Sequence, residues 1–252
     1  MSAPPVLEVR GLGKSYGKRA ALRALELEVA AGELVALVGE NGAGKTTSLA
    51  IISGQLVPDE GSAHIGGDDV FERARAARSR LGYVAQGLLL PPYLTVREMA
   101  QLTCRLKGVS LEPDALDAML ALTSLGEDAD RLVGELSHGM QRKAAWVAAL
   151  VSKPALLVLD EGLAGLDAAS SAALAGEVLR RLDDGLAVLW AEHDLELLVE
   201  RLTRVVVLHG GELAEVVTGD VLREEAAAGK LAERMRRWTS TSSSSSSSES
   251  SS

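Results

Sequence analysis

Hydrophobic and polar positions along this chain alternate between two regimes. Residues 6–10 and 25–29 interleave apolar and polar side chains, as half-buried strands do, on either side of a turn-rich loop over 11–19. Together they predict an antiparallel β edge layer. Residues 34–38 are apolar throughout, the pattern of a strand covered on both faces of a parallel sheet. A glycine-rich loop follows, then a helix over about 45–53. Residues 61–69 read as a hairpin, and 81–85 as another buried strand. From Thr95 to Lys153 the period turns helical, with candidate helices at 96–107, 113–122 and 137–152. Short apolar strands return at 156–159, 186–190 and 204–208, alternating with helices. The pattern predicts an α/β fold: a parallel-sheet core over about 1–86 and 154–220, interrupted by a helical subdomain over about 87–153. Residues 221–238 read as a terminal amphipathic helix. Residues 239–252 are almost pure serine, lack apolar surface to offset the entropy of ordering, and are expected to be disordered. No internal repeat is visible.

Composition sharpens this picture. Hydrophobic residues make up 47% of the 252 positions but aromatics only 3%, so the core must be packed mainly by Leu, Val, Ile and Ala. A formal net charge of -9 argues against a nucleic-acid binder held by general electrostatics, and no nucleic-acid partner is expected. The single cysteine, Cys104, lies in an apolar-periodic stretch and reads as a reduced core thiol, which fits a cytoplasmic protein. The N-terminus lacks the basic-then-apolar pattern of a signal peptide, and every apolar run falls well below a membrane span. Work at a membrane would require another protein as anchor.

Two motifs carry chemistry. Gly39-Glu40-Asn41-Gly42-Ala43-Gly44-Lys45-Thr46 matches the phosphate-binding pattern GxxxxGK[ST] and joins a buried strand to a helix. Its glycines let backbone N–H groups turn inward around phosphate oxygens, and the helix N-terminus adds favourable partial charge. Lys45 would reach the β- and γ-phosphates of ATP, and the Thr46 hydroxyl would bind Mg²⁺, with Thr47 next in the cradle. The second motif, Leu156-Leu157-Val158-Leu159-Asp160-Glu161, is an apolar strand ending in two carboxylates. Buried carboxylates need partners, and a metal ion and an activated water are suitable ones. Asp160 would hold Mg²⁺, and Glu161 would polarise the attacking water. Alone, an acidic pair after a strand is usually just a helix N-terminus; the upstream phosphate loop shifts the balance.

Between these motifs lies Leu136-Ser137-His138-Gly139-Met140-Gln141, which resembles the LSGGQ signature of ABC ATPases. The chain follows that family's motif order over roughly residues 6–220. The resemblance implies a P-loop NTPase core and a head-to-tail dimer with a second copy or a related ATPase subunit. Ser137, an apt N-cap, would with His138, Gly139 and Met140 face nucleotide held by the opposite subunit. It also implies that Gln86 is the Q-loop glutamine, touching Mg²⁺ and the catalytic centre, that His193 is the switch histidine, and that Asp167 belongs to the D-loop. Tyr16 would stack on adenine.

Three departures bear on function. His138 and Met140 replace a glycine and a glutamine; the GM ending is similar to that of subunits in prokaryotic export systems. Gly162-Leu163 stand where the family commonly has Pro-Thr, a change that can loosen the D-loop. Residues 87–94 after Gln86 are unusually apolar, either subdomain core or part of a groove for a membrane partner. The resemblance therefore implies an ATP-hydrolysing exporter subunit, peripheral on the inner face of the cell membrane and coupled to an integral membrane permease. The rival is a soluble, non-transport ABC ATPase of nucleic-acid or translation processes. The compact spacing from Lys45 to Leu136, the single phosphate loop and the acidic balance disfavour it.

Overall fold

The computed structural model describes residues 4–87, 90–192 and 194–239. In chain order the elements begin with β1 (Leu7–Tyr16), β2 (Arg19–Val29), β3 (Leu34–Gly39), α1 (Lys45–Ile52), β4 (Glu60–Ile65), β5 (Asp68–Asp69), α2 (Ala74–Ser79) and β6 (Leu81–Val84). The helical stretch comprises α3 (Val96–Lys107), α4 (Pro113–Leu122) and α5 (His138–Val151). Then come β7 (Leu156–Asp160), α6 (Ala168–Asp183), β8 (Ala187–Ala191), β9 (Arg204–His209), β10 (Glu212–Thr218), α7 (Gly219–Ala227) and α8 (Leu231–Thr239).

The strands form two sheets. One is antiparallel, in the order β2-β1-β4-β5; the other runs β10-β9-β3-β8-β7-β6, parallel from β9 to β6 and closed by antiparallel β10. The wholly apolar β3 serves both faces of its sheet, because side chains alternate along a strand. Val35 and Leu37 join Leu7, Leu25, Leu49 and Ile52 in a core with α1 between the sheets. Leu34, Ala36 and Val38 face the other core, which continues through Trp146 and Leu174 into α3, α4 and α5. Burial on both faces explains why β3, β7 and β8 lack polar positions before their carboxyl ends. There β3 opens into the phosphate loop and β7 ends at Asp160, with β8 between them. Ligands of open α/β sheets bind at this end.

Local signals seat the helices. Thr95 and Glu98 form a reciprocal capping box on α3, with Glu98 N–H donating to Thr95 Oγ1 at 3.1 Å and Thr95 N–H to Glu98 Oε2 at 2.9 Å. Pro113 opens α4, where its missing N–H costs nothing.

The structure corrects two expectations and adds two elements. The stretch 11–19 is mostly strand: β1 and β2 run through it, leaving only Gly17 and Lys18 between them. Register shifts beyond Val9, at Leu12 and at Lys14 absorb the polar and glycine residues that resemble a loop. The expected single helix over 221–238 is two helices, broken at Gly229, whose φ of +69° is a left-handed conformation that glycine adopts without strain. Short α2 and antiparallel β10 were not foreseen. The serine run beyond Thr239 lies outside the described residues.

Candidate functional site

Helix α1 starts without a side-chain cap. Its N-cap is Gly44 at φ +108°, and no acidic residue occupies its first turn. The first N–H groups of the helix are thus left for an external anion. The loop is held from below by the turn between β9 and β10, where Gly211 N–H donates to Ala43 O at 3.1 Å and His209 Nδ1 lies 3.3 Å from Glu40 Oε1.

A cleft of about 490 Å³ opens over this helix end. It is lined by Asn41, Gly42, Gly44, Lys45, Thr46 and Thr47 of the loop, by Tyr16, Arg19 and Ala21 of the β1–β2 hairpin, and by Gln86 and Glu161. Tyr16, 53% exposed at the end of β1, offers a ring at the edge of the cleft. Lys45 is 9% exposed, and its Nζ donates to Gly39 O at 2.7 Å and Glu40 O at 3.1 Å. Burial lowers its pKa from the ordinary lysine value, against the charges of Glu161, Asp160 and Glu40.

The carboxylates stand opposite. Asp160, 2% exposed, has its pKa raised by burial; the Thr46 hydroxyl that bonds it opposes the rise, the charge of Glu161 adds to it, and those of Lys45 and Arg142 oppose it. Its Oδ2 is buried and without a hydrogen-bond partner. Such an orphaned oxygen beside a hydroxyl suits a hard divalent cation. Among the described residues no three His, Cys, Asp or Glu side chains form a metal cage, so a cation here would draw further ligands from a bound phosphate or water. Glu161 has φ +50°, an uncommon left-handed backbone for a residue with a Cβ. It is maintained by Glu161 N–H donating to Ala191 O at 2.9 Å. Gln86 Nε2 donates to Glu161 Oε2 at 2.9 Å, bringing together two side chains 75 positions apart.

The signature segment lies elsewhere. Ser137 caps α5, accepting from Met140 N–H at 3.3 Å, and none of Ser137, His138, Gly139 or Met140 lines the cleft. These residues border the turn after Glu161: a Cβ built on Gly139 would meet Gly165 O at 3.4 Å, and one on Gly165 would meet His138 Nδ1 at 3.7 Å. Asp167 caps α6, accepting from Ser170 N–H at 2.8 Å and Ser170 Oγ at 2.7 Å; these bonds hold its pKa down at about 2. Lys143 Nζ lies 3.7 Å from Asp167 Oδ2. The Gly162-Leu163 variation leaves this turn anchored, because buried Trp146 donates from Nε1 to Gly162 O at 2.9 Å. His193 lies outside the described residues, as do Leu88 and Leu89 of the apolar loop. Of that loop, Leu90 and Leu94 pack on the core, whereas Tyr93 is 85% exposed.

Two neighbours of the site escaped sequence reasoning. Arg19 lines the cleft and approaches Gly42 O at 3.4 Å. Arg142, one turn into α5, is buried against the loop of Gln86. Helical spacing from Ser137 puts Arg142 on α5, but nothing in the local sequence indicates what its face meets.

The family model of the ABC transporter matches residues 22–164. A sulfate/thiosulfate import ATP-binding protein of Methylococcus capsulatus is 35% identical over 229 residues, 88% of this chain, and the chain spans 65% of that relative's length. The Nod factor export ATP-binding protein I of Burkholderia orbicola is 38% identical over 220 residues, covering 85% of this chain and 71% of the relative. Among solved structures, an ATP-binding subunit of an ABC transporter superposes with a TM-score of 0.81 at 26% identity, covering 91% of this chain and 99% of that one.

Proposed function

This chain belongs to the ABC transporter family of ATP-binding, ATP-hydrolysing cassettes, and from that premise we propose that it is the motor subunit of an exporter, working as a dimer on a separate membrane permease. The observation that carries the catalytic reading is the Gln86–Glu161 hydrogen bond at a cleft walled by Lys45 and the start of α1.

The phosphates of ATP sit on the N–H groups of Gly39 to Thr47, with the Lys45 ammonium on the β- and γ-phosphates and Tyr16 against adenine. Thr46, Gln86 and Asp160 would hold Mg²⁺, which when bound would neutralise charge building up on the phosphate oxygens. Glu161 accepts a hydrogen bond from a water and aims it in line at the γ-phosphorus. The water oxygen bonds to that phosphorus as its bond to the bridging oxygen breaks, the water's proton passes to the Glu161 carboxylate, and ADP and phosphate leave. His193, from its position in the motif order, is assigned to the same hydrolytic step as Glu161 and Gln86. Ser137, His138, Gly139 and Met140, with Asp167 nearby, serve the nucleotide of the opposite subunit. Their absence from this chain's own cleft suits that role, and so does the N-terminus of α5, which Ser137 caps at Met140 N–H but which has no acidic residue in its first turn. ATP then joins the two subunits, and hydrolysis releases them.

Tyr93 and, one turn apart on α3, Leu102 and Leu106 are exposed apolar side chains that suit a permease contact. No helix among the described residues is long and apolar enough to cross a membrane, so attachment to the inner membrane face runs through that permease. Relatives carry both import and export names; the export reading rests on the Gly139-Met140 ending of the signature.

The test uses the tagged full chain carrying Glu161→Gln. Hydrolysis should fall by roughly 10²- to 10⁴-fold, with ATP affinity retained; turnover near the wild-type rate removes Glu161 from this role. Captured from mildly solubilised native membranes with ATP, the variant should bring down a multi-span membrane protein in stoichiometric amount. Recovery of only soluble or nucleic-acid-associated proteins would overturn the transporter reading and leave the ATPase chemistry standing.

A further inference from the structure

The catalytic carboxylate is tied to the signature helix through one buried side chain. Arg142 lies one turn into α5 and is 3% exposed. Its Nη1 donates to Ala85 O at 2.6 Å and its Nη2 to Gln86 O at 2.7 Å. Its Nε is buried without a partner. Burying a full charge with one donor unsatisfied is costly, and an apolar side chain would fill the space more cheaply. What the guanidinium adds is geometry: a rigid fork that grips two successive carbonyls at once. The same Gln86 extends its amide to Glu161 Oε2 at 2.9 Å. A continuous path of contacts therefore runs from Ser137 at the start of α5, through Arg142 and the Gln86 backbone, to Glu161.

We propose that Arg142 is a positioning residue for hydrolysis: by clamping the backbone at Ala85 and Gln86 it fixes where Gln86 holds Glu161, so that turnover depends on the seating of the signature helix. The proposal rests on the reading of Glu161 as the group that aims the water. Arg142 is absent from the lining of the nucleotide cleft, so it acts through Gln86 and not on substrate. A helix is stiff along its axis, so a shift of its N-terminus against a second subunit's nucleotide moves Arg142 with it. The catalytic geometry would then respond to dimer closure without a contact between the two sites.

The test compares Arg142→Lys and Arg142→Met with wild type, each as the full chain. A lysine keeps the charge but offers one donor nitrogen on a flexible stem in place of the rigid two-nitrogen fork, so it holds the pair of carbonyls less firmly. For Arg142→Met, kcat should fall roughly 10- to 100-fold, the range that small misplacements of catalytic groups produce. KM for ATP and calorimetric affinity for ADP should stay within about twofold, with Arg142→Lys between the two proteins in kcat. In the Gln86→Ala background, Arg142→Lys should cost nothing further, since both changes break one path. Unchanged kcat in a folded variant would overturn the proposal, as would loss of ADP affinity in step with kcat. Hydrogen exchange of the peptide over 82–87 needs no turnover: faster exchange is expected in Arg142→Met, which removes both bonds to Ala85 O and Gln86 O, and unchanged protection in that variant overturns the clamp. If instead Glu161→Gln hydrolysed ATP at the wild-type rate, the reading of Glu161 would fall while the exchange experiment still judged the clamp.

Discussion

Lys107 offers the prediction whose size the structure best defines. It ends α3, and its ammonium is withdrawn from solvent, donating to Leu81 O at 2.6 Å and Ser152 Oγ at 2.7 Å. It thus fastens the helical subdomain to the first residue of β6 and to the end of α5. Burial pushes its pKa from the ordinary 10.5 down to about 8. The folded value lies below the unfolded one, so between these limits the unfolded chain holds the extra proton and stability rises with pH. Below about pH 8 both states are protonated and the full cost of the buried charge is present. A fall of this size corresponds to roughly 3 kcal/mol, and partial solvent access to the side chain reduces it to about 2 kcal/mol. Lys107→Met keeps most of the packing and removes the charge together with the two hydrogen bonds. Denaturant unfolding of both proteins at about pH 7, 9 and 10.5 gives the difference in stability at each pH. That difference should move in favour of the wild type by about 2 kcal/mol across the range. Burial raises the pKa of Cys104 and the charge of Lys107 opposes that rise, so the comparison is made with Cys104→Ala in both proteins, which removes the coupled thiol. A difference that is flat with pH would refute the claim that a charge is buried at Lys107.

Lys45→Ala should weaken nucleotide binding measured by calorimetry, and unchanged affinity would contradict a phosphate contact there. Gly44→Ala forces a Cβ to within 2.6 Å of Ala21 O and 2.8 Å of Leu22 Cδ2 at a φ of +108°. It should lower thermal stability by more than 1 kcal/mol, roughly the cost of the left-handed backbone alone, and reduce nucleotide affinity as well. Ser137→Ala removes the cap of α5 and should cost about 1 kcal/mol in denaturant unfolding. An unaltered midpoint would mean that the long 3.3 Å bond to Met140 N–H contributes nothing to the fold.

The parts of this protein that were legible in its sequence are those fixed by neighbours along the chain. Residues 34–38 and 156–159 are apolar without interruption because both faces of β3 and β7 are buried, and that demand is written directly into the side chains. The phosphate loop is legible because its backbone needs glycine at set positions: a Cβ on Gly39 would lie 2.3 Å from Leu208 O. The hairpin over 11–19 was obscure for the opposite reason. Bulges let glycine and polar residues sit inside a paired strand, so the period that marks a strand is lost.

The sequence by itself determined the alternation of strands and helices, the helix start at Lys45 and the carboxylates at the end of β7. Each depends on local propensity, side-chain period or glycine geometry, which act over a few residues. Only the tertiary structure decided that Gln86 meets Glu161, that Arg142 grips the Gln86 loop, and that Ser137 stands apart from the cleft of its own chain. Those relations join residues tens of positions apart, through strand order and helix seating. They depend on which buried surfaces meet, and the period of a single element carries no record of its partner.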